Sequence, residues 1–289
     1  MQGVTKRYGT VDALRGIDLQ VQPGEVVGVL GPNGAGKTSA INIMLGLRTA
    51  TSGTTRLWGM SPSDPAAKAR TGVMLQEPGV PETLRVREVV QLFQSYYPYT
   101  LPTNEIIERA GLTEKRRSLI DKLSGGQKQR LFFALALAGD PDLFFLDEPT
   151  VGMDVETRMR FWEQVRCSAA AGKTILFSTH YLEEADALAS RIVVINKGHI
   201  IAQGTPHQIK ALTADTHVRM RTNMPVEQLQ TYPGVRRITT ENDHVTIATS
   251  EPEALLRHMF REDWHVADLQ VQPADLETAF LSLTEGGAA

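Results

Sequence analysis

The chain contains 289 residues, of which 42% are hydrophobic, and this length and composition predict about two domains with buried cores. The net charge of -3 gives no general attraction to a phosphate backbone, so nucleic acid is not expected as the main partner. The single cysteine, Cys167, excludes an internal disulfide, and the longest apolar run, residues 131–138, is far shorter than the roughly 20 residues of a membrane span. We therefore expect a cytoplasmic protein without a signal peptide, which works at a membrane only through a partner.

The first two thirds of the chain alternates between predicted strands and predicted helices. Strands are predicted at residues 1–8, 17–21, 25–30, 54–58, 71–75, 143–147 and 174–178. Helices are predicted over residues 39–47 and 155–169, and from Leu182 onwards. Between the fifth and sixth strands, apolar side chains recur at helical spacing, which predicts an inserted helical subdomain at about residues 85–140. This alternation indicates an α/β protein whose largely parallel sheet is covered by helices on both faces.

A glycine-rich motif follows the third predicted strand and precedes the first predicted helix. Its spacing, G-x-x-x-x-G-K-T, is that of a phosphate-binding loop, in which glycines let backbone N–H groups point inward at the positive end of a helix. Lys37 can reach the β- and γ-phosphates and stabilise charge there, and the Thr38 hydroxyl can hold Mg²⁺. The residues predicted to bind the phosphates are Gly31, Pro32, Asn33, Gly34, Ala35, Gly36, Lys37, Thr38 and Ser39.

Two acidic residues stand at the end of the sixth predicted strand. The carboxyl end of that strand is expected at the same edge of the sheet as the phosphate loop, so Asp147 can hold Mg²⁺ directly or through water. Glu148 points in another direction and can polarise a water for attack on the γ-phosphate. An acidic strand end is weak evidence by itself, but paired with the phosphate loop it is a strong signal.

A second candidate anion site precedes another predicted helix. It consists of Leu123, Ser124, Gly125, Gly126 and Gln127. Ser124 is expected to cap that helix, and the two glycines leave the backbone N–H groups bare at its positive end. With the phosphate loop before it and the acidic strand end after it, this motif resembles the ATP-binding subunit of an ABC transporter. The resemblance covers residues 3–213 and implies a P-loop NTPase fold, with a RecA-like core, an antiparallel β-subdomain and the helical subdomain.

The resemblance also implies roles for individual residues. Tyr8 corresponds to the aromatic residue that stacks on adenine, and Gln76 to the glutamine that senses Mg²⁺ and the attacking water. His180 corresponds to the histidine that contacts the γ-phosphate. Gly152 and Asp154 correspond to a loop that crosses the dimer interface.

In this family two chains share each ATP, because the Ser-Gly-Gly-Gln element of one subunit closes over the ATP of the other. The resemblance therefore implies a homodimer that hydrolyses two ATP with Mg²⁺ and drives a separate integral-membrane permease at the inner face of the cell membrane. Residues 181–185 and the tail 273–281 resemble the drug, antibiotic and sodium exporters, although Met153 and Val155 stand where that subgroup commonly has Leu and Pro. The segment at residues 77–99 is expected to contact the permease.

Three other functions are compatible with some of these sequence motifs. A soluble ABC ATPase that acts on a nucleic-acid or ribosomal machine has the same motifs, but the acidic balance, the single ATPase domain and the missing basic arm argue against it. Asn196 and Lys197 superficially suggest a guanine-reading loop of a GTPase, but His199 stands where that loop needs an aspartate. A module that binds nucleotide without hydrolysing it is disfavoured by Glu148.

The composition changes after Asp215, and a second domain is predicted there. Strands at residues 217–221, 235–240, 245–248 and 266–271, with helices at 225–232 and 252–261, give the order βαββαβ. This order predicts a small ferredoxin-like α+β domain, followed by a last helix at 274–283. We expect residues 1–213 to form the ATP-binding domain and residues 214–289 an accessory domain, which supports the dimer or contacts the permease rather than binding an effector.

Overall fold

The computed structural model describes residues 1–75, 79–212, 216–273 and 276–285. The chain forms two compact units, residues 1–203 and residues 204–289. The sequence predicted the division after residue 213. The observed division lies earlier because the helix at Pro206–Ala211 packs against the last helix of the second unit.

The first unit contains two sheets and the helices that pack on them. Its strands are β1 (Gln2–Tyr8), β2 (Val11–Ile17), β3 (Val26–Leu30), β4 (Ser52–Thr54), β5 (Thr71–Met74), β6 (Leu143–Asp147), β7 (Thr174–Ser178), β8 (Arg191–Asn196) and β9 (His199–Gly204). Its helices are α1 (Lys37–Met44), α2 (Pro65–Ala69), α3 (Val86–Gln94), α4 (Thr103–Arg109), α5 (Gly125–Leu137), α6 (Val155–Ala170) and α7 (Leu182–Leu188).

The larger sheet has the order β5-β6-β7-β3-β8-β9, and its four pairings from β5 to β8 are parallel. Every residue of β6 is buried, as are almost all residues of β3, β7 and β8, which is typical of parallel strands covered on both faces. Because these strands run in one direction, the carboxyl ends of β3, β6 and β7 meet at one edge. The α/β fold with a P-loop core that the sequence predicted is confirmed, but β8 and β9 were not predicted.

The smaller sheet is antiparallel, with the order β2-β1-β4, and it forms the β-subdomain. Val4, Leu14 and Ile17 are fully buried and pack in one cluster with Ile41 of α1. The predicted strand at residues 17–21 is wrong, because the chain leaves the sheet after Ile17 and keeps only a local backbone pairing between Met1 and Leu19. The strand predicted at 54–58 is also displaced, since β4 ends at Thr54.

Helices α3, α4 and α5 form the inserted helical region, in agreement with the helical spacing in the sequence. Aromatic side chains join it to the larger sheet. Phe133 of α5 contacts Phe161 of α6 at a ring distance of 5.1 Å, and the neighbouring Trp162 lies 5.1 Å from Phe177 of β7. These edge-on ring contacts fix α5 and α6 relative to the strand ends that carry the polar residues.

The second unit consists of α8 (Pro206–Ala211), β10 (Thr216–Thr222), α9 (Val226–Gln230), β11 (Val235–Glu241), β12 (His244–Thr249), α10 (Pro252–Arg261), β13 (Val266–Pro273) and α11 (Leu276–Glu285). From β10 to β13 the order is βαββαβ, as the sequence predicted, and the antiparallel sheet has the order β11-β12-β10-β13. Its core contains Val218, Met220, Ile247, Leu255 and Met259. The ferredoxin-like assignment stays a prediction, and residues 274–275, where the last helix was expected to begin, lie outside the described residues.

An ion pair between Glu25 and Arg191 ties the start of β3 to the start of β8. Arg191 Nε donates to Glu25 Oε1 at 2.6 Å and Arg191 Nη2 donates to Oε2 at 3.0 Å. Burial alone would raise the pKa of Glu25, but the hydrogen bonds from Arg191 and from the Gln22 amide, with the Arg191 charge, hold it below its ordinary value of 4.5. A carboxyl whose pKa is lowered on folding stabilises the fold above its ordinary pKa and loses that contribution as the pH falls through the lowered value.

We predict that Glu25→Gln lowers the free energy of unfolding at pH 7 by about 1–2 kcal/mol, because a charged hydrogen-bonded pair is lost from a half-buried place. The difference between the variant and the wild type should shrink as the pH falls below 4.5. Urea unfolding at several pH values measures this. Glu156→Gln, on the exposed face of α6, is the control and should change the stability by less than about 0.5 kcal/mol. A pH-independent difference would contradict the prediction.

Candidate functional site

The loop between β3 and α1 needs glycine at two places where other backbone lies against it. A Cβ on Gly31 would lie 2.2 Å from the carbonyl oxygen of Ile195 in β8. A Cβ on Gly36 would lie 2.6 Å from the carbonyl oxygen of Ala13 in β2, and Gly36 also has a φ of +111°. The loop is therefore enclosed by β8 on one side and by the β1–β2 hairpin on another, and only glycine fits this path.

Lys37 is the first residue of α1, and its side chain is turned back into the loop. It is 7% exposed, and its Nζ donates to the carbonyl oxygens of Gly31 at 2.6 Å and Pro32 at 3.2 Å. Burial lowers the pKa of the Lys37 ammonium, and the charges of Glu148 and Asp147 act in the opposite direction. A half-desolvated ammonium at a helix N-terminus is a favourable partner for a phosphate group.

Asp147 is the last residue of β6 and lies opposite Ser178, the last residue of β7. The Ser178 Oγ donates to Asp147 Oδ1 at 2.5 Å, which fixes the orientation of the carboxylate. Burial raises the pKa of Asp147; the hydrogen bond from Ser178 opposes this rise, the Glu148 charge adds to it and the Lys37 charge opposes it. The charged groups of Lys37, Asp147 and Glu148, which were predicted from two separate motifs, therefore meet at one edge of the sheet.

Glu148 and His180 are in direct contact. Glu148 has a left-handed backbone, with a φ of +48°, and its N–H donates to Ser178 Oγ at 3.0 Å. This turn directs the Glu148 side chain away from that of Asp147, and Glu148 Oε2 lies 3.1 Å from His180 Nδ1. The candidate general base, Glu148, thus contacts His180, the candidate γ-phosphate contact, although the two residues follow different strands.

The second candidate anion site lies at the start of α5, where Ser124 is the N-cap as predicted. Ser124 Oγ accepts from the N–H of Gln127 at 3.3 Å, and Gln127 Oε1 accepts from the N–H of Ser124 at 3.0 Å. A Cβ built on Gly125 would have the carbonyl oxygen of Gly152 as its nearest neighbour, at 3.9 Å. Asp154 caps α6, since its Oδ1 accepts from the Thr157 N–H at 2.8 Å. The second candidate anion site, residues 123–127, which we call the signature, therefore lies next to the predicted dimer loop at Gly152 and Asp154.

Of two further predicted residues, Tyr8 and Gln76, the structure describes the first. Tyr8 ends β1, and the residue is 42% exposed, with Lys6 Nζ 5.0 Å from the ring centre. An exposed ring at this place is free to stack on a flat ligand. Gln76 lies outside the described residues.

The buried residues that hold these groups in place were not predicted from the sequence. Ser178 orients Asp147, and Thr150, Thr179 and Glu184 form a hydrogen-bonded cluster behind the Glu148–His180 contact. A hydroxyl residue that ends a buried strand next to an acidic strand end is a signal that could have revealed Ser178. No local sequence pattern distinguishes Glu184, which is buried, from its neighbour Glu183 on the same helix, which is exposed.

The oxygen groups at the strand edge fit Mg²⁺. Among the residues that the structure describes, no three His, Cys, Asp or Glu side chains lie close enough together to hold a metal by themselves. Magnesium is commonly held by one or two carboxylates together with phosphate oxygens and waters, so one oriented carboxylate suffices. Asp147, whose carboxylate is oriented by Ser178, and Thr38, in the first turn of α1, are residues of the types that such a site uses.

Fold and site together define a P-loop nucleoside triphosphatase. The profile of the family described as ABC transporter matches residues 14–151. A protein of Cupriavidus metallidurans named Nod factor export ATP-binding protein I is 36% identical, over 98% of this chain and 96% of its own length. A protein of the same name from Ralstonia nicotianae is 33% identical, over 98% of this chain and 92% of its own length.

Solved structures resemble the chain as well. The ATP-binding subunit of an ABC transporter superposes with a TM-score of 0.67 at 25% identity, over 73% of this chain and 91% of the other. A dimeric ATP-binding cassette in a post-hydrolysis state with ADP and Pi superposes with a TM-score of 0.65 at 25% identity, over 71% and 97%. The chain belongs to the ABC transporter family, as an ATP-binding subunit that hydrolyses ATP. No helix in the described part of the chain has the length and apolar character needed to cross a bilayer.

Proposed function

We propose that two copies of the chain close around two ATP molecules and that hydrolysis drives export through a separate membrane permease. The contact between Glu148 Oε2 and His180 Nδ1, 3.1 Å long and next to the phosphate loop, is the observation that supports this site most directly. A carboxylate held by a histidine at a strand end is suited to act on a water beside the γ-phosphate.

The proposed chemistry begins with ATP lying along the loop, its phosphates at the N-terminus of α1. Glu148 accepts a proton from water as the water oxygen bonds to the γ-phosphorus, and the bond from that phosphorus to the bridging oxygen of ADP breaks. Lys37 and the loop N–H groups stabilise the charge that develops on the phosphate oxygens, and His180 contacts the γ-phosphate. The ring of Tyr8 stacks on adenine.

The proposed holders of Mg²⁺ are Thr38, Asp147 and Gln76. Mg²⁺, when bound, neutralises charge on the β- and γ-phosphates. The Ser178 hydroxyl donates to Asp147 Oδ1, so it would orient the carboxylate that is proposed to hold the ion. Gln76 takes its role from the family resemblance.

The second half of each site is proposed to come from the partner chain. The backbone N–H groups of Gly125 and Gly126 lie at the start of α5 and suit an anion that approaches from outside the chain. Gly152 and Asp154 adjoin them, so the signature and the dimer loop would meet the partner together. The solved dimeric cassette supports this arrangement.

Export and the permease are proposed on two grounds. The relatives in Cupriavidus and Ralstonia carry export in their names. In addition, the region around α3 exposes Leu92, Tyr96 and Tyr99, of which Tyr99 is 81% exposed, and this surface suits contact with an apolar partner. The chain would then lie at the inner face of the cell membrane, bound to its permease, and the second unit would support the dimer or the permease contact.

We predict that the chain enters the membrane fraction only when its permease is present. The experiment expresses the chain with and without the product of a neighbouring reading frame that has about six apolar spans. The triple variant Leu92→Ser, Tyr96→Ser, Tyr99→Ser should be absent from the membrane fraction even when the permease is present, and it should keep its ATPase activity. Sedimentation with ribosomes or nucleic acid, whether or not the membrane protein is present, would instead favour the soluble ABC machine.

A further inference from the structure

A buried carboxylate, Glu184, holds both segments that carry the proposed catalytic side chains. Glu184 lies on α7 and is 5% exposed. Its Oε1 accepts from the hydroxyl of Thr150 at 2.6 Å, and its Oε2 accepts from the hydroxyl of Thr179 at 2.7 Å. Thr150 follows Glu148 closely in the chain, and Thr179 directly precedes His180, so one carboxylate ties the two strand ends together.

Arg158 connects the same carboxylate to the proposed dimer loop. Arg158 Nε is buried and lies 3.6 Å from Glu184 Oε1, so the charge of Glu184 has a partner on α6. Arg158 Nη2 donates to the carbonyl oxygen of Met153 at 3.5 Å. The guanidinium lies 4.3 Å from the ring centre of Tyr181, whose ring in turn lies 4.1 Å from that of His180. The side chains of Glu184 and Arg158 thus contact the residues around Glu148, around His180 and in the dimer loop.

We propose that Glu184 is a positioning residue for ATP hydrolysis: it fixes the approach of Glu148 to His180 and, through Arg158, links that approach to the dimer loop. The inference rests on the proposed function, because it needs Glu148 and His180 as catalytic side chains. A displacement of about 1 Å between groups that act on one water can lower turnover roughly 100-fold, so this support matters for the rate.

The geometry also determines which kinetic constant should change. Glu184 bonds to residues behind the catalytic pair, whereas the Lys37 ammonium is held by loop carbonyls at Gly31 and Pro32. ATP binding by the loop should therefore survive the loss of Glu184, while the chemical step should not. A residue that only stabilises the fold would instead lower the fraction of active protein and leave the kcat of the folded fraction unchanged.

The first test is Glu184→Gln, which keeps the size of the side chain but removes its charge and one acceptor. We expect kcat to fall about 10- to 100-fold while the KM for ATP changes less than about 3-fold. The matched control is Glu183→Gln, at the exposed neighbouring position, which should keep the wild-type kcat. A wild-type kcat for Glu184→Gln, measured per folded chain, would overturn the proposal.

The second test is a double-mutant cycle with His180→Ala. If Glu184 acts by positioning His180 relative to Glu148, its loss should matter little once His180 is absent. The kcat of the double variant should then be less than about 3-fold below that of His180→Ala alone. If the fold-loss of kcat in the double variant equals the product of the two single fold-losses, the positioning role is overturned. A wild-type kcat for His180→Ala alone would instead remove His180 from the proposed site, so the failures of the two proposals are distinguishable.

The third test remains informative if Glu184→Gln does not fold. Thr150→Val removes the hydroxyl that donates to Glu184 and keeps the branched shape, whereas Thr150→Ser keeps the hydroxyl. We expect Thr150→Val to lower kcat at least about 5-fold with little change in KM, and Thr150→Ser to keep most of the wild-type rate. Equal rates for these two variants would show that the hydrogen bond to Glu184 does not position the site.

Discussion

Glu148→Gln is expected to lower the kcat of ATP hydrolysis by roughly two to four orders of magnitude while ATP still binds. An amide cannot accept the proton of the attacking water, whereas the carboxylate can. The substitution keeps the size of the side chain, and the backbone of Glu148 remains held by the Ser178 hydroxyl at 3.0 Å. The predicted phosphate loop does not depend on Glu148, since Lys37 donates to loop carbonyls rather than to Glu148.

Phosphate release measures the rate in this variant, and a fluorescent ATP analogue measures binding. Since ATP stays intact, the variant should also elute as a dimer with ATP and as a monomer without it. Glu163→Gln, on the exposed surface of α6, is the matched control and should keep the wild-type rate. A wild-type rate in Glu148→Gln would exclude Glu148 as the general base.

Mixing two inactive variants is expected to restore ATPase activity if, as we propose, each site is built from two chains. Lys37→Ala disables the phosphate loop, and Ser124→Arg places a long cationic side chain at the start of α5. In a mixed dimer, one site combines both defects. The other site combines the intact loop of the Ser124→Arg chain with the intact signature of the Lys37→Ala chain. Random mixing should therefore recover about a quarter of the wild-type rate, since half of the dimers are mixed and each has one working site.

Measurements over a range of protein concentrations complete this experiment. The wild-type rate per chain should rise with concentration until dimers dominate, and each variant alone should stay inactive. The loss of the Ser124 cap is expected to cost only about 1 kcal/mol of stability, so a folded Ser124→Arg protein can be assayed. Activity that is independent of concentration and untouched by Ser124→Arg would mean that one chain contains a whole site.

The interactions that the sequence predicted are mostly local ones. Ser124 as a helix cap and the loop that ends at Lys37 follow from residue types a few positions apart, because caps and tight turns are formed by neighbouring residues. Asp147 was predicted at the sheet edge because an apolar run that ends in a carboxylate indicates a buried strand and its end. The βαββαβ order of the second unit likewise follows from turn residues and apolar periodicity.

Boundaries and additional strands were predicted less well. Residues 17–21 alternate apolar and polar side chains, but alternation indicates burial and does not show whether a strand partner is present. In the structure β2 ends at Ile17, the first of these residues. β8, which was not predicted, explains why position 31 must be glycine, since Ile195 approaches it there. No pattern near Gly31 reveals a strand that follows far along the chain.

The sequence by itself predicted the phosphate loop, the second anion site and the acidic strand end, and through them it determined the class of protein. Only the tertiary structure decided that Glu148 contacts His180 and that Glu184 holds Thr150 and Thr179 behind them. The physical reason is that these bonds join the ends of strands far apart in the chain, and their geometry depends on the register between β6 and β7. That register is set by burial and packing along whole strands, which no short motif records.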